Sequence, residues 1–258
     1  QVTRRDCEEY LLGVRESTSP ANQAKHYRNL QQLWRFLVDV EEELVVSPMA
    51  KLDPPSVPEK PVPVIPDDDI RALLAACHGS GFQARRDTAI IRAFLDTGMR
   101  NGEMTGIKVE GTLDKLRRPI GLDWRYDVFH IVGKGERARA CPFGDKTGLA
   151  LRRYLRVRAQ HPHAHRDALW IGRLGPLTEA GIYQMIERRC DEAKISHIYP
   201  HQWRHTFAHI WKASGGSEED LMRLLGWSTR EMAKRYGASA ANERAHEAHK
   251  RLSLGDRI

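Results

Sequence analysis

The chain has 258 residues, 41% hydrophobic and 29% charged, enough apolar material for one large core or two smaller ones. No apolar run approaches the ~18 residues of a membrane span. Gln1 to Asp6 carries no signal segment, and Cys7, Cys77, Cys141 and Cys190 are too scattered for a disulfide or zinc framework. Membrane and secreted classes are set aside, and buried reduced thiols in the cytoplasm are expected. Lys and Arg number 41 against 34 Asp and Glu, a formal charge of +7, and 30 of the cations are Arg. The planar guanidinium fork fits phosphate oxygens, so this balance favours a polyanion such as nucleic acid.

Residues 1–53 read as two helices. The second opens at Ser19-Pro20 and carries Tyr27, Leu30, Leu33, Trp34, Leu37 and Val38 at helical spacing. So short a stretch makes a poor core alone. The chain starts at Gln1 with no Met, so further N-terminal sequence is expected. Pro54, Pro55, Pro58, Pro61, Pro63 and Pro66 make residues 54–66 a stiff linker. Beyond it, Asp67-Asp68-Asp69 caps one helix, and Arg86 to Leu95 forms another. Between Asp123 and Phe143 the period changes to two. Tyr126, Val128, His130 and Val132 alternate with Asp127, Phe129 and Ile131 before Gly133-Lys134-Gly135-Glu136, the pattern of a β-hairpin. Helical spacing returns over 148–158, 178–193, 201–213, 217–225 and 228–236. The fold class is therefore mainly α with a small antiparallel β-sheet, α+β.

In the last third, His201 and Arg204 share one face of a helix start. Phe207, Ile210 and Trp211 form its apolar stripe, and Gly215-Gly216 ends it. Ser217 with Asp220, and Ser228 with Glu231, read as N-caps, and Tyr236 lies two turns into the second of these helices. Earlier, Arg100 stands at a Gly-broken helix junction, with Glu103 one turn on to orient it. Lys134 occupies the hairpin tip, and Leu224-Leu225-Gly226-Trp227 precedes Tyr236 by nine residues. This order resembles the tyrosine recombinase (phage integrase) family, whose signature is Arg, Lys, His-x-x-Arg, His or Trp, then Tyr. The resemblance covers residues 60–240 and is densest at Arg204-His205-Thr206-Phe207-Ala208 and Leu224-Leu225-Gly226.

The resemblance implies a site-specific DNA recombinase, an integrase of a phage or mobile element, working through a 3′-phosphotyrosyl intermediate without metal, cofactor or ATP. It assigns catalysis to Arg100, Lys134, His201, Arg204, Trp227 and Tyr236, with Glu103 and His205 in support. Residues 67–258 become the catalytic domain, and residues 1–53 a short helical domain for core DNA. The two close around duplex DNA with inverted half-sites, in a synaptic homotetramer whose 238–258 tails dock on neighbouring subunits.

Elementary chemistry agrees with this assignment. The phosphorane-like transition state gains negative charge, which two guanidiniums and an indole N–H can hold. A phenol of pKa ≈ 10 needs a base such as His201, and the departing 5′-hydroxyl needs an acid such as Lys134. A type IB topoisomerase shares the chemistry, but that family usually differs at the positions of His201 and Trp227. A non-cleaving DNA-binding protein of the same fold needs neither the Tyr nor the Lys. Trp203 and Trp211 read as core and His209 as structural. His161-Pro162-His163-Ala164-His165 reads as a solvated loop rather than a metal site.

Overall fold

Side-chain caps start the first two helices, α1 (Arg4–Ser17) and α2 (Pro20–Asp39). Thr3 Oγ1 accepts from the Asp6 N–H at 3.4 Å while Asp6 Oδ2 accepts from the Thr3 N–H at 2.7 Å. Ser19 Oγ accepts from Asn22 at 3.3 Å, with Pro20 in the first turn. The computed structural model describes residues 2–58, 63–133, 138–231, 245–246, 248–250 and 255. It divides into two compact units, Gln1–Lys60 and Pro61–Ile258. The core of the first unit is Cys7, Leu11, Tyr27, Trp34 and Met49. Tyr27 Oη donates to the Leu52 carbonyl at 2.6 Å and ties the segment after α2 back onto that helix. Leu33, expected on the apolar stripe, is instead 48% exposed. One residue is a turn of about 100°, so Leu33 leaves the face that Trp34 buries.

In the second unit α3 (Asp67–Ala76) is capped by Pro66, not by its aspartates. Asp67, Asp68 and Asp69 fill the first turn, where they complement the positive end of the helix dipole. The central helix α4 (Phe82–Thr97) starts four residues before the expected Arg86, and Ala89, Ile90, Ile91, Ala93 and Phe94 are fully buried along it. After the short α5 (Asn101–Gly106) comes a three-stranded antiparallel sheet in the order β1 (Gly121–Asp123), β2 (Val128–Val132), β3 (Ala138–Pro142). Its register aligns Leu122 with Phe129 and Phe129 with Cys141, all buried. The expected hairpin is β2 and β3; β1 has three residues, too few to show alternation. Next come α6 (Asp145–Arg158), the two-residue strands β4 (Ile171–Gly172) and β5 (Gly175–Pro176), α7 (Glu179–Ala193), α8 (Pro200–Ala213) and α9 (Glu218–Leu225). Both α6 and α8 pack on α4, and α7 packs on α3.

The buried stripe of α8 is not the expected Phe207, Ile210 and Trp211. Trp203, Thr206 and Ala208 are fully buried, and Trp203 stacks on Phe94 with ring centroids 6.1 Å apart. Ile210 is 42% exposed, while Phe207 and Trp211 pack toward Leu221, Leu225 and Trp227. The helix serves two neighbours, so its apolar surface splits into two stripes. Among the described residues, no helix is long and apolar enough to cross a membrane.

Two buried ionic arrangements hold the second unit together. Asp87, fully buried, accepts from Arg86 at 2.7 Å, Arg189 at 2.8 Å and Arg188 at 3.0 Å. Arg189 also donates to the Ala76 carbonyl at 3.0 Å, so the end of α3, the start of α4 and the end of α7 meet on one carboxylate. Arg158 donates to four carbonyls, those of Ala164, Arg166, Ala168 and Leu169, at 2.7–3.2 Å. It thereby folds the histidine-rich loop down, and the His161 ring stacks on Phe82 at 4.4 Å. All four cysteines are free and buried, and burial pushes the Cys77 and Cys141 thiols up to about 11. Asp87→Ala would strand the buried Arg86 without its carboxylate and leave Arg189 with Glu192 alone. A urea titration is expected to show unfolding free energy lowered by about 3–5 kcal/mol.

Candidate active site

The site grows from the end of α4. Gly98 caps that helix in the left-handed region (φ 55°), and a Cβ there would stand 2.9 Å from Leu225 Cδ2 and 3.0 Å from Phe207 Cβ. The absence of a side chain lets the end of α4 press against α8 and α9 at once. Two residues later Arg100 is the N-cap residue of α5. Its backbone N–H donates to Glu103 Oε2 at 2.8 Å and its Nη1 to Glu103 Oε1 at 3.0 Å. The Arg100 side chain is 45% exposed while that of Glu103 is 7% exposed, so the cation faces outward from a buried anchor.

Arg204 enters the same junction from α8 and is 4% exposed. Its Nη1 donates to the Gly98 carbonyl at 3.1 Å and its Nη2 to the Leu225 carbonyl at 2.5 Å. These oxygens lie at the C-terminal ends of α4 and α9, where the helix dipole adds partial negative charge for a buried guanidinium. Trp227 lies beside it, with Arg204 Cζ 5.3 Å from the ring centroid. Trp227 is placed by the closure of α9: Gly226 is left-handed (φ 64°) and the Trp227 N–H donates to the Met222 carbonyl at 2.9 Å. The indole is buried against Ala208, Leu221 and Leu225. His201, one turn before Arg204, is exposed and stacks on Tyr199 at 5.9 Å. His205 is buried, and its ring stands edge-on to His201 at 6.2 Å.

Arg100 and Glu103 are thus joined directly, and Arg204 and Trp227 are in contact. The Gly98 carbonyl links the two groups. Lys134, Tyr236 and most of the 238–258 tail lie outside the described residues. The sequence reading passed over Arg139. From β3 its Nη1 and Nη2 donate to Glu103 Oε1 and Oε2 at 2.9 and 2.7 Å, and its Nε donates to the Leu224 carbonyl at 3.0 Å. The available signal was parity: Arg139 stands two residues before the buried Cys141 and shares its face of the strand. Burial alone would raise the Glu103 carboxyl, but the Arg139 fork and the Arg100 N–H outweigh it and hold the group below its ordinary value.

A second basic feature lies between α4 and α6. Arg85, Arg92, Lys146 and Arg153 line a groove of about 440 Å³ with no carboxylate among the lining residues. Such a surface suits a polyanion. Among the described residues, no three His, Cys, Asp or Glu side chains gather as a metal-binding group. Gly98→Ala adds a side chain against Leu225 and Phe207 at a positive φ. Thermal melts are expected to register a loss of about 1–3 kcal/mol.

Residues 63–243 match the model of the phage integrase family. The tyrosine recombinase XerC of Azotobacter vinelandii (strain DJ) is 32% identical over 198 residues, covering 76% of this chain and 62% of that protein. The chain thus spans about three fifths of that relative's length. The fold is also that of the XerH site-specific recombinase bound to a palindromic difH substrate. That structure has TM-score 0.74 at 18% identity, covering 96% of this chain and 72% of the other. The Tn1549 transposon integrase in complex with transposon right end DNA has TM-score 0.72 at 20% identity, with coverages of 98% and 86%.

Proposed function

The chain belongs to the phage integrase family, and from that premise we propose that it is a site-specific DNA recombinase of a phage or other mobile element. It cleaves and rejoins strands through a covalent 3′-phosphotyrosyl intermediate. The observation that carries this reading is the buried Arg204, fixed on the Gly98 and Leu225 carbonyls beside Trp227 and joined through Gly98 to the turn bearing Arg100. A scissile phosphate meeting Arg204, Arg100 and the Trp227 indole would find cations and a hydrogen-bond donor for the extra negative charge its two non-bridging oxygens gain in the transition state. Glu103 supports Arg100, and His205 supports His201 from behind.

In the proposed step the Tyr236 oxygen attacks phosphorus, and the bond from phosphorus to the 5′-oxygen breaks. His201 takes the phenol proton and Lys134 delivers a proton to the departing 5′-oxygen. The new ester conserves the energy of the broken bond. A 5′-hydroxyl from another strand then reverses the attack and releases Tyr236, with neither ATP nor metal consumed. Four copies on paired sites with inverted half-sites would carry out the two strand exchanges.

Tyr236→Phe is expected to retain its gel shift on DNA while giving no covalent adduct on a nicked suicide substrate. An adduct formed by the Phe variant would remove Tyr236 as the nucleophile. A wild-type chain that shifts DNA and never forms an adduct would leave a DNA-binding protein that does not cut. Lys134→Ala is expected to cleave about 10²–10⁴-fold more slowly. It should recover on DNA carrying a 5′-bridging sulfur, because a thiolate departs without a proton. An absence of recovery would place the acid elsewhere.

A further inference from the structure

Arg139, which spacing did not single out, joins two parts of the site. Its two terminal nitrogens grip both oxygens of Glu103, at 2.9 and 2.7 Å, and its Nε holds the Leu224 carbonyl of α9 at 3.0 Å. Glu103 in turn orients Arg100 through a side-chain bond at 3.0 Å and a backbone bond at 2.8 Å. The left-handed Gly226 makes room for the fork, since a Cβ there would lie 3.1 Å from Arg139 Nη1. We infer that Arg139 is a positioning residue for the proposed cleavage, its fork holding Glu103 so that Arg100 is set in register with the end of α9 and Trp227. This deepens the recombinase reading and rests on it.

The electrostatics give the arrangement a distinctive readout. Glu103 is buried, and burial disfavours its charged form; Arg139 is the first of the groups that offset it. Without the fork, the carboxyl keeps its burial cost and retains only the half-exposed Arg100, so its pKa rises. As pH falls through the raised value the carboxyl takes a proton and releases Arg100. Other groups face this carboxyl. Cys141 from β3 is neutral below its raised value of about 11. Across an adjoining cavity of about 300 Å³ lie His130, bonded to Asp123 at 3.0 Å, then Lys115, and Asp114 paired with Arg118 at 2.7 Å. These groups are present in wild type and variants alike, so they cancel in the ratio of variant to wild-type rates. Lysine at position 139 would keep the charge and lose the two-pronged grip.

The test compares wild type, Arg139→Gln, Arg139→Lys and the double variant Arg139→Gln/Glu103→Gln in the full chain. Adduct formation on a nicked suicide substrate is followed from pH 5 to 8, DNA affinity by gel shift, and the Glu103 carboxyl by ¹³C NMR titration. Arg139→Gln is expected to form adduct about 100-fold more slowly at pH 7, with DNA affinity within about threefold. Its rate relative to wild type should fall further toward pH 5, and its Glu103 should titrate at higher pH. Arg139→Lys should lie between, and the double variant should lose the acid-side fall.

A residue that merely stabilises the fold would slow the reaction by the same factor at every pH and leave the carboxyl where it was; either result overturns the inference. So does wild-type rate in Arg139→Gln. Should Arg139→Gln not fold, Arg139→Lys decides the matter by the same pH ratio and titration. A wild-type chain without adduct would end the recombinase reading; the NMR titration would still decide whether Arg139 holds Glu103.

Discussion

A buried guanidinium resting on two carbonyl oxygens is the constraint on which the second unit is organised. Arg204 donates to the last carbonyls of two helices, those of Gly98 and Leu225. Backbone oxygens cannot swing away as side chains can. The cation's position is therefore fixed by where α4 and α9 end, and both ends are set by left-handed glycines, Gly98 and Gly226.

The surrounding core serves that arrangement. Asp87 gathers α3, α4 and α7 at one end of α4, and Gly98 meets α8 and α9 at the other. The central helix is thus fixed at both termini, and the turn bearing Arg100 follows from the second of these fixtures. Glu103 then extends the same logic to an exposed cation, since its own buried position is secured by the β3 strand through Arg139.

Much of this was legible in the residue pattern. Helices α7, α8 and α9 followed from helical spacing and caps such as Ser217, and the Arg100–Glu103 pair from its spacing of three, while most of the helix expected over 228–236 lies outside the described residues. Other features were illegible for physical reasons. Leu33 looked apolar and in phase, yet it borders a buried stripe rather than lying within it. The aspartates at 67–69 looked like caps because acids favour both the cap and the first turn. Asp87 pairs with residues about a hundred positions away, and the partners of Arg204 are backbone atoms, which every residue type carries equally. Arg139 sits on a strand where charge ordinarily signals solvent; only its parity with Cys141 marked it as inward.

The turn between α8 and α9 carries a different lesson. The Trp211 indole donates to the Ser217 carbonyl at 2.9 Å and lies so close over Gly216 that a Cβ there would fall 2.3 Å from Nε1. The connector is plugged by an aromatic ring. The number of residues from Arg204 to Trp227 is consequently a dimension of the molecule rather than an accident of its loops. Added length should be tolerated near the exposed Leu113 and Leu116, where the chain meets solvent, and rejected at the plugged turn.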